Sequence, residues 1–237
     1  MSNEEIHVLS FEGPTVLDAP SLTQAIEYLS EYPKAIAVLS AFSNTHDKLL
    51  AIIDTAVSGK MDAAHSMCDE IYDLHYSLIR EALDHHPNPK NTLILETTDK
   101  KLDDYSLRLK KLLSYAQQAK NKQDRWIDSI LPIGDQIAAY VFSQAALSWG
   151  ILTQYVEATK LIKTDNNYGQ AIPNTMSVYQ QCGSLETLIE NGFTPILGGG
   201  YGKSQEGSLS RIGPDGLDMT ARLIAGALEA KSIEFTG

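Results

Sequence analysis

The chain has 237 residues, 43% of them hydrophobic, which is enough to bury a substantial core and sits at the upper end of what one domain spans. A formal charge of −11 and a pI near 4.9 exclude nucleic-acid binding as its main business, because such binders present a basic footprint. Cys68 and Cys182 lie far apart without metal-ligand spacing, which argues against a disulfide framework or a zinc site and fits a reducing cytoplasm. The acidic start Met1-Ser-Asn-Glu-Glu5 is unlike a signal peptide, and residues 137–151 are too short and interrupted to span a bilayer, so a soluble cytoplasmic protein with no membrane partner is expected.

In chain order, residues 6–11 form a short apolar strand ending in Glu12-Gly-Pro14, residues 21–30 carry a helical period, and a strand returns at 35–40. This βαβ opening, with strands apolar nearly throughout, predicts a parallel sheet covered on both faces. A loop at 41–45 leads into a helix over 46–57. Residues 61–119 read as almost wholly helical, with Met67, Ile71, Leu74, Leu78 and Leu83 on one stripe, Leu102, Tyr105, Leu109, Leu112 and Leu113 on another, and a break at His85-His-Pro-Asn-Pro89. They are read as a helical insertion, about 61–120, on an α/β frame and not as a second domain. The helix predicted over 134–148 is apolar around most of its circumference, as for one buried against a sheet. Strand-like pieces at 154–157 and 161–162, a turn-rich loop at 164–169, a helix over 175–191 and a buried strand at 194–197 follow. After Gly198-Gly-Gly-Tyr-Gly202, residues 208–221 read as a glycine-containing loop feeding a helix at 222–230 and a strand at 232–236. That order offers an oxyanion the free N–H groups and positive dipole of a helix N-terminus.

His65, His75, His85 and His86, with Asp69, Glu70 and Asp73, invite a metal reading, but ten residues separate His65 from His75. At about 100° per residue the two stand roughly 80° off a common face, so no metal site is expected. Cys68 on the same helix reads as a small buried hydrophobe, and the charge run at 99–104 as a solvated helix face.

Six segments then fall into one order. Ser10-Phe-Glu-Gly-Pro-Thr-Val16 resembles Lys-Phe-Gly-Gly-Thr-Ser-Val, and Val38-Leu-Ser-Ala-Phe-Ser-Asn-Thr-His-Asp-Lys48 resembles Val-Val-Ser-Ala-Met-Ser-Gly-Val-Thr-Asp-Lys. Ile133-Gly-Asp-Gln-Ile-Ala138 resembles Phe-Gly-Glu-Arg-Leu-Ser, and Ile162-Lys-Thr-Asp-Asn-Asn-Tyr-Gly-Gln-Ala171 resembles Ile-x-Thr-Asp-x-Asn-Phe-Gly-x-Ala. Gly199-Gly-Tyr-Gly202 is loosely similar to Gly-Phe-Ile-Gly, and Asp218-Met-Thr-Ala221 to the end of Gly-Arg-Gly-Gly-Ser-Asp-Tyr-Thr-Ala. In this order they resemble the catalytic domain of aspartokinases, members of the amino-acid kinase superfamily. The resemblance implies an α/β, three-layer α/β/α sandwich with a mostly parallel sheet, whose first half holds the amino acid and whose second half holds ATP. It implies transfer of the ATP γ-phosphoryl group to the aspartate side-chain carboxylate, chemistry carried by positioning and by neutralising spread negative charge.

The departures can be ranked by that physics. Ser10 stands where the family has a phosphate-facing lysine, and a neutral hydroxyl cannot replace a cation beside a transferring phosphoryl group, so orders of magnitude in rate are expected to be lost. Glu12 replaces the first of the paired glycines with a carboxylate, and Pro14 removes a donor from the same turn, while Gly13, Gly199 and Gly202 stay as remnants of the phosphate loops. Among substrate-binding positions Ser40 is retained. His46 replaces a threonine, the alternative being a helix N-terminal residue with a solvated ring. Asp135 keeps an acceptor for a substrate ammonium with one methylene less. Arg211 is implied to clamp the α-carboxylate, although about three extra residues before Asp218 make a simple exposed arginine an equal reading. Asp218, the one catalytic candidate, has its register fixed by Met219-Thr-Ala221, and an N-cap role explains it as well.

In the family the strand matching 233–236 continues into Asp-Val-Asp-Gly and then the nucleotide half, and Gly237 stands at the aspartate position, so that half and the C-terminal regulatory domains are expected to be missing from a single domain over 1–237. The reading is a catalytically degenerate aspartokinase-like module binding a small aspartate-like amino acid or a protein partner, as a homodimer or hetero-complex, with no cofactor in this chain. The alternatives are a working kinase using ATP and Mg, completed by missing residues or a partner subunit, and a purely structural subunit.

Overall fold

The computed structural model describes residues 6–119 and 123–236. Strand β1 (His7–Phe11) runs through a short 3-10 turn (Gly13–Thr15) into helix α1 (Ala19–Ser30), and β2 (Ala35–Leu39) returns beside β1. Asp18 sets the start of α1: its carboxylate accepts the Ser21 N–H at 2.9 Å while the Ser21 hydroxyl accepts the Asp18 N–H at 3.0 Å, a closed capping box. Helices α2 (Thr45–Val57), α3 (Met61–His85), α4 (Asn91–Ala119), α5 (Asp124–Ile130) and α6 (Pro132–Ser148) follow, then β3 (Thr153–Tyr155), α7 (Ala158–Leu161), α8 (Thr175–Glu190) and β4 (Thr194–Gly198). A small antiparallel hairpin, β5 (Tyr201–Lys203) with β6 (Leu209–Arg211), precedes α9 (Gly216–Ala227) and β7 (Ser232–Thr236).

The main sheet has the order β3-β4-β2-β1-β7, every pairing parallel, with Ser10 opposite Val38 on one side and Phe235 on the other. Because side chains alternate along a strand, the two faces feed two cores. Leu9, Phe11, Ala37, Leu39 and Ile196 pack with α1, α2, α3, α4 and α6, and Val8, Ile36, Val38 and Leu197 pack with α7, α8 and α9. This is the three-layer α/β/α sandwich expected from the sequence. The long helices read as an insertion form most of one layer: Ile71, Leu78, Leu83, Leu102, Tyr105, Leu109 and Leu113 are buried, while Met67, Leu74 and Leu112 stay half-buried at its edge. No described helix is long and apolar enough to cross a membrane.

Three local expectations are corrected. Residues 161–162 are not a strand but the end of α7, after which Lys163 and Thr164 make only isolated bridges to Lys203 and Pro173. Residues 208–221 are not one loop, since β6 and the first turns of α9 lie within them, and the helix ends at Ala227. Gly216, read as a loop signal, opens α9 because a Cβ there would stand 2.7 Å from Gly200 Cα. Helix α5, absent from the sequence reading, is a seven-residue segment too short to show a period.

Candidate functional site

A cavity of about 300 Å³ opens at the carboxyl ends of β2 and β4, beside the N-terminal ends of α2, α6 and α9, the crevice where parallel sheets commonly take ligands. Ser40, His46, Asp135, Gly199, Arg211 and Leu217 are among its lining residues. The first five are all sequence-predicted site residues, drawn together from positions 40 to 211.

Asp135 lies in the first turn of α6 and is only 6% exposed. Its height above the sheet is fixed by contact of backbone on backbone, since a Cβ on Gly198 would meet the Asp135 carbonyl oxygen at 2.8 Å. Oδ1 accepts the Ala41 N–H at 2.9 Å, and His46 Nε2 lies 3.1 Å from both carboxylate oxygens. His46 is the second residue of α2, whose N-cap is Asn44. Its side chain is 41% exposed, so the ring is part solvated and part held against Asp135. Burial opposes its charge, but the Asp135 carboxylate and their hydrogen bond outweigh burial and hold the imidazole pKa above its usual value. The loop carrying Ala41 is tied down from the 3-10 turn after β1: Gly13 O accepts the Ser43 N–H at 3.0 Å, and a Cβ on Gly13 would fall 2.1 Å from Ala41 O. Gly13 thus supports the site from behind.

Arg211 is held by a residue that no sequence motif singled out. Asp128, on α5, is fully buried; its Oδ1 accepts Arg211 Nε at 2.8 Å, while Oδ2 accepts the Arg211 N–H at 2.9 Å and the Gly169 N–H at 2.8 Å. Nε and the main chain are thereby engaged, and the two terminal guanidinium nitrogens make no hydrogen bond among the described residues. Gly169, at φ 85°, also lines the cavity, so the glycine of the Thr-Asp-Asn-Asn-Tyr-Gly motif acts through its N–H. The opposite wall is fastened by Thr220, whose hydroxyl accepts the Gly200 N–H at 3.0 Å and donates to Gly216 O at 2.8 Å.

The remaining predicted residues stand elsewhere. Asp218 is in the first turn of α9, one residue past Leu217; it does not line the cavity, and the N-cap is Asp215. Gly202 is on β5, where a Cβ would meet Ile162 O at 2.8 Å, a packing role. Ser10 faces the core beneath α9; it is fully buried and its hydroxyl has no partner among the described residues. Glu12 is exposed, with its N–H on Thr236 O at 3.2 Å. No group of three or more His, Cys, Asp or Glu among the described residues could hold a metal ion, and His75 is buried against Phe42 with its Nδ1 on Ile71 O at 2.8 Å. Cys68 is buried as expected, and burial pushes its thiol up to about 12.

A parallel α/β sandwich with a paired acid–base pocket at its strand ends is the class this molecule defines. The chain belongs to the amino acid kinase family, whose profile matches residues 8–236. It is similar to an aspartokinase of Thermus thermophilus, 31% identical over 111 residues that cover 46% of this chain and 26% of the relative. It is also similar to the lysine-sensitive aspartokinase 3 of Escherichia coli, 22% identical over 97% of this chain and 48% of the relative. The fold matches E. coli aspartokinase III solved with aspartate and ADP in the R-state (TM-score 0.81, 20% identity, 98% of this chain and 48% of that one). It likewise matches the same enzyme with lysine and aspartate in the T-state (TM-score 0.80, 19% identity, 98% and 49%). The chain spans about half the length of these full-length matches. The family read from the six motifs is borne out.

Proposed function

We propose that this chain is an aspartokinase-like module whose cavity binds a small, amino-acid-like carboxylate ligand, and that by itself it does not transfer phosphate. The observation that carries the binding reading is the convergence of Ser40, His46, Asp135 and Arg211 on one cavity, with Asp128 holding the arginine fork behind it. Arg211 Nη1 and Nη2 suit the planar, two-oxygen geometry of a carboxylate. Loss of transfer is supported at the tip of β1: Ser10 is a buried neutral hydroxyl and Glu12 an exposed carboxylate. Neither supplies the positive charge that ATP phosphates, and the charge that develops during transfer, call for. Buried, free Cys68 and Cys182 fit a cytoplasmic protein, and a homodimer or hetero-complex is the expected assembly.

Two measurements test this. Calorimetric titration with small carboxylates should give saturable heat that Arg211→Ala abolishes. A coupled assay with aspartate, ATP and magnesium should show no turnover above background. Turnover would overturn the inactive reading in favour of the working kinase. That rival is favoured by β7 standing at the edge of the sheet with Phe235 43% exposed, a place where further strands could add. It predicts ATP-dependent thermal stabilisation once a completing partner is present.

A further inference from the structure

We propose that His46 makes this pocket select a small dicarboxylate without an ammonium group over an α-amino acid. The inference rests on the cavity being the ligand pocket described above.

An ammonium group taken from water needs a carboxylate or several neutral acceptors to replace its hydration. Asp135 is the only acidic residue lining the cavity among the described residues. Its Oδ1 takes the Ala41 N–H, His46 Nε2 spans both of its oxygens at 3.1 Å, and the residue keeps only 6% exposure, so almost no carboxylate surface is left for a second cation. A ligand ammonium would have to displace the imidazole and would meet a like charge where His46 is protonated.

What the cavity does offer is positive. The terminal nitrogens of Arg211 are free of protein hydrogen bonds among the described residues, and the first turn of α9, a twelve-residue helix, borders the cavity at Leu217. The groups facing the imidazole are Asp135 from α6, Arg211 from β6 and Asp47 on its own helix, and their balance with burial raises the His46 pKa. Where His46 is protonated it offsets the Asp135 carboxylate 3.1 Å away, as Arg211 offsets Asp128 behind the cavity. A ligand with two carboxylates and no amine can set them against the Arg211 donors and the first turn of α9, and it needs no acceptor from the Asp135 carboxylate that His46 covers.

The test is calorimetric titration of the full chain with succinate and with L-aspartate, on the wild type and on His46→Thr, which frees Asp135. The expected result is succinate bound at least about tenfold more tightly than aspartate by the wild type, with that ratio cut about tenfold or reversed in His46→Thr. Aspartate bound as tightly as succinate by the wild type, or a ratio unmoved by His46→Thr, overturns the role of His46 while leaving the pocket reading intact. Heat with neither ligand in either protein overturns the pocket reading itself and the inference with it. Should His46→Thr not fold, the ring resonances of His46 in the wild type serve: succinate should shift them and raise the imidazole pKa, and binding that leaves them unmoved overturns the proposal.

Discussion

Two places along the carboxyl edge of one sheet are built on opposite plans. Around β4, α6 and β6, the carboxylates of Asp135 and Asp128 are almost or wholly buried, and each has an imidazole or a guanidinium and at least one backbone N–H on it. At the tip of β1, Ser10 carries a buried hydroxyl with no partner among the described residues, and Glu12 points a carboxylate at solvent. Burying a charge costs several kcal/mol unless hydrogen bonds and an opposite charge replace its water, so the first region persists only as a complete set. The second has no such constraint. The contrast teaches that this fold can keep a fully paired pocket while the end of β1 carries no cation, because the two are held by separate interactions.

The sharpest way to break that comparison is Asp128→Ala. It leaves the Arg211 guanidinium and two backbone N–H groups without their buried acceptor, and it should cost about 3–5 kcal/mol in denaturant unfolding. Carboxylate binding should fall with it, because Nε no longer fixes the plane of the fork. A loss below about 1 kcal/mol would show that the cavity side is not held together by its buried acid.

The next effect is on pH and uses two histidines that touch the same loop. His75 stacks on Phe42, and burial, partly offset by its bond to Ile71 O, pushes its imidazole down to about 4 from an ordinary 6.5, with Lys48 pushing the same way. Its unfolded form therefore takes up a proton that the folded form refuses. Stability should be full above pH 6.5 and fall as pH drops toward 4, by on the order of 3 kcal/mol from this group. His75→Leu should flatten that slope in unfolding curves taken across the range. His46 has the opposite sign: its pKa is raised, so its ion pair with Asp135 contributes below about pH 6.5 and is lost as pH rises through the folded value.

Much of the cavity lining is legible in the amino-acid sequence. Ser40, His46 and Asp135 stand out because each sits in a short motif with its own turn or helix start, whereas the extra residues before Asp218 leave Arg211 open until the structure places it in the cavity. Asp128 does not. It is one aspartate among Trp126, Ile127 and Ile130 in a seven-residue helix, and its partners lie 41 and 83 residues away, a pairing that no local pattern carries. Gly216 misleads for a related reason: glycine signals a turn by its own flexibility, whereas here it opens a helix because another backbone passes too close for a Cβ. The two apolar side chains at 161–162 suggest a strand, yet they fit equally well on the buried face of one helical turn and its exit.

The smallest effect tests the other half of the comparison. Ser10 lies fully buried on β1 between Val38 and Phe235, and its hydroxyl finds no acceptor among the described residues, although its carbonyl takes the Thr236 hydroxyl at 3.0 Å. A buried hydroxyl left unmade costs stability, and replacing it with a group of the same shape and no polarity removes the cost. Ser10→Ala deletes one oxygen, keeps the backbone ladder, and should leave stability unchanged or raise it by up to about 1 kcal/mol. For the whole chain that is an upward shift of a few degrees at most in thermal unfolding. If Ser10→Ala instead destabilised by about 1 kcal/mol or more, the hydroxyl would be making an interaction in solution, and the end of β1 would belong with the paired, structured side of the molecule.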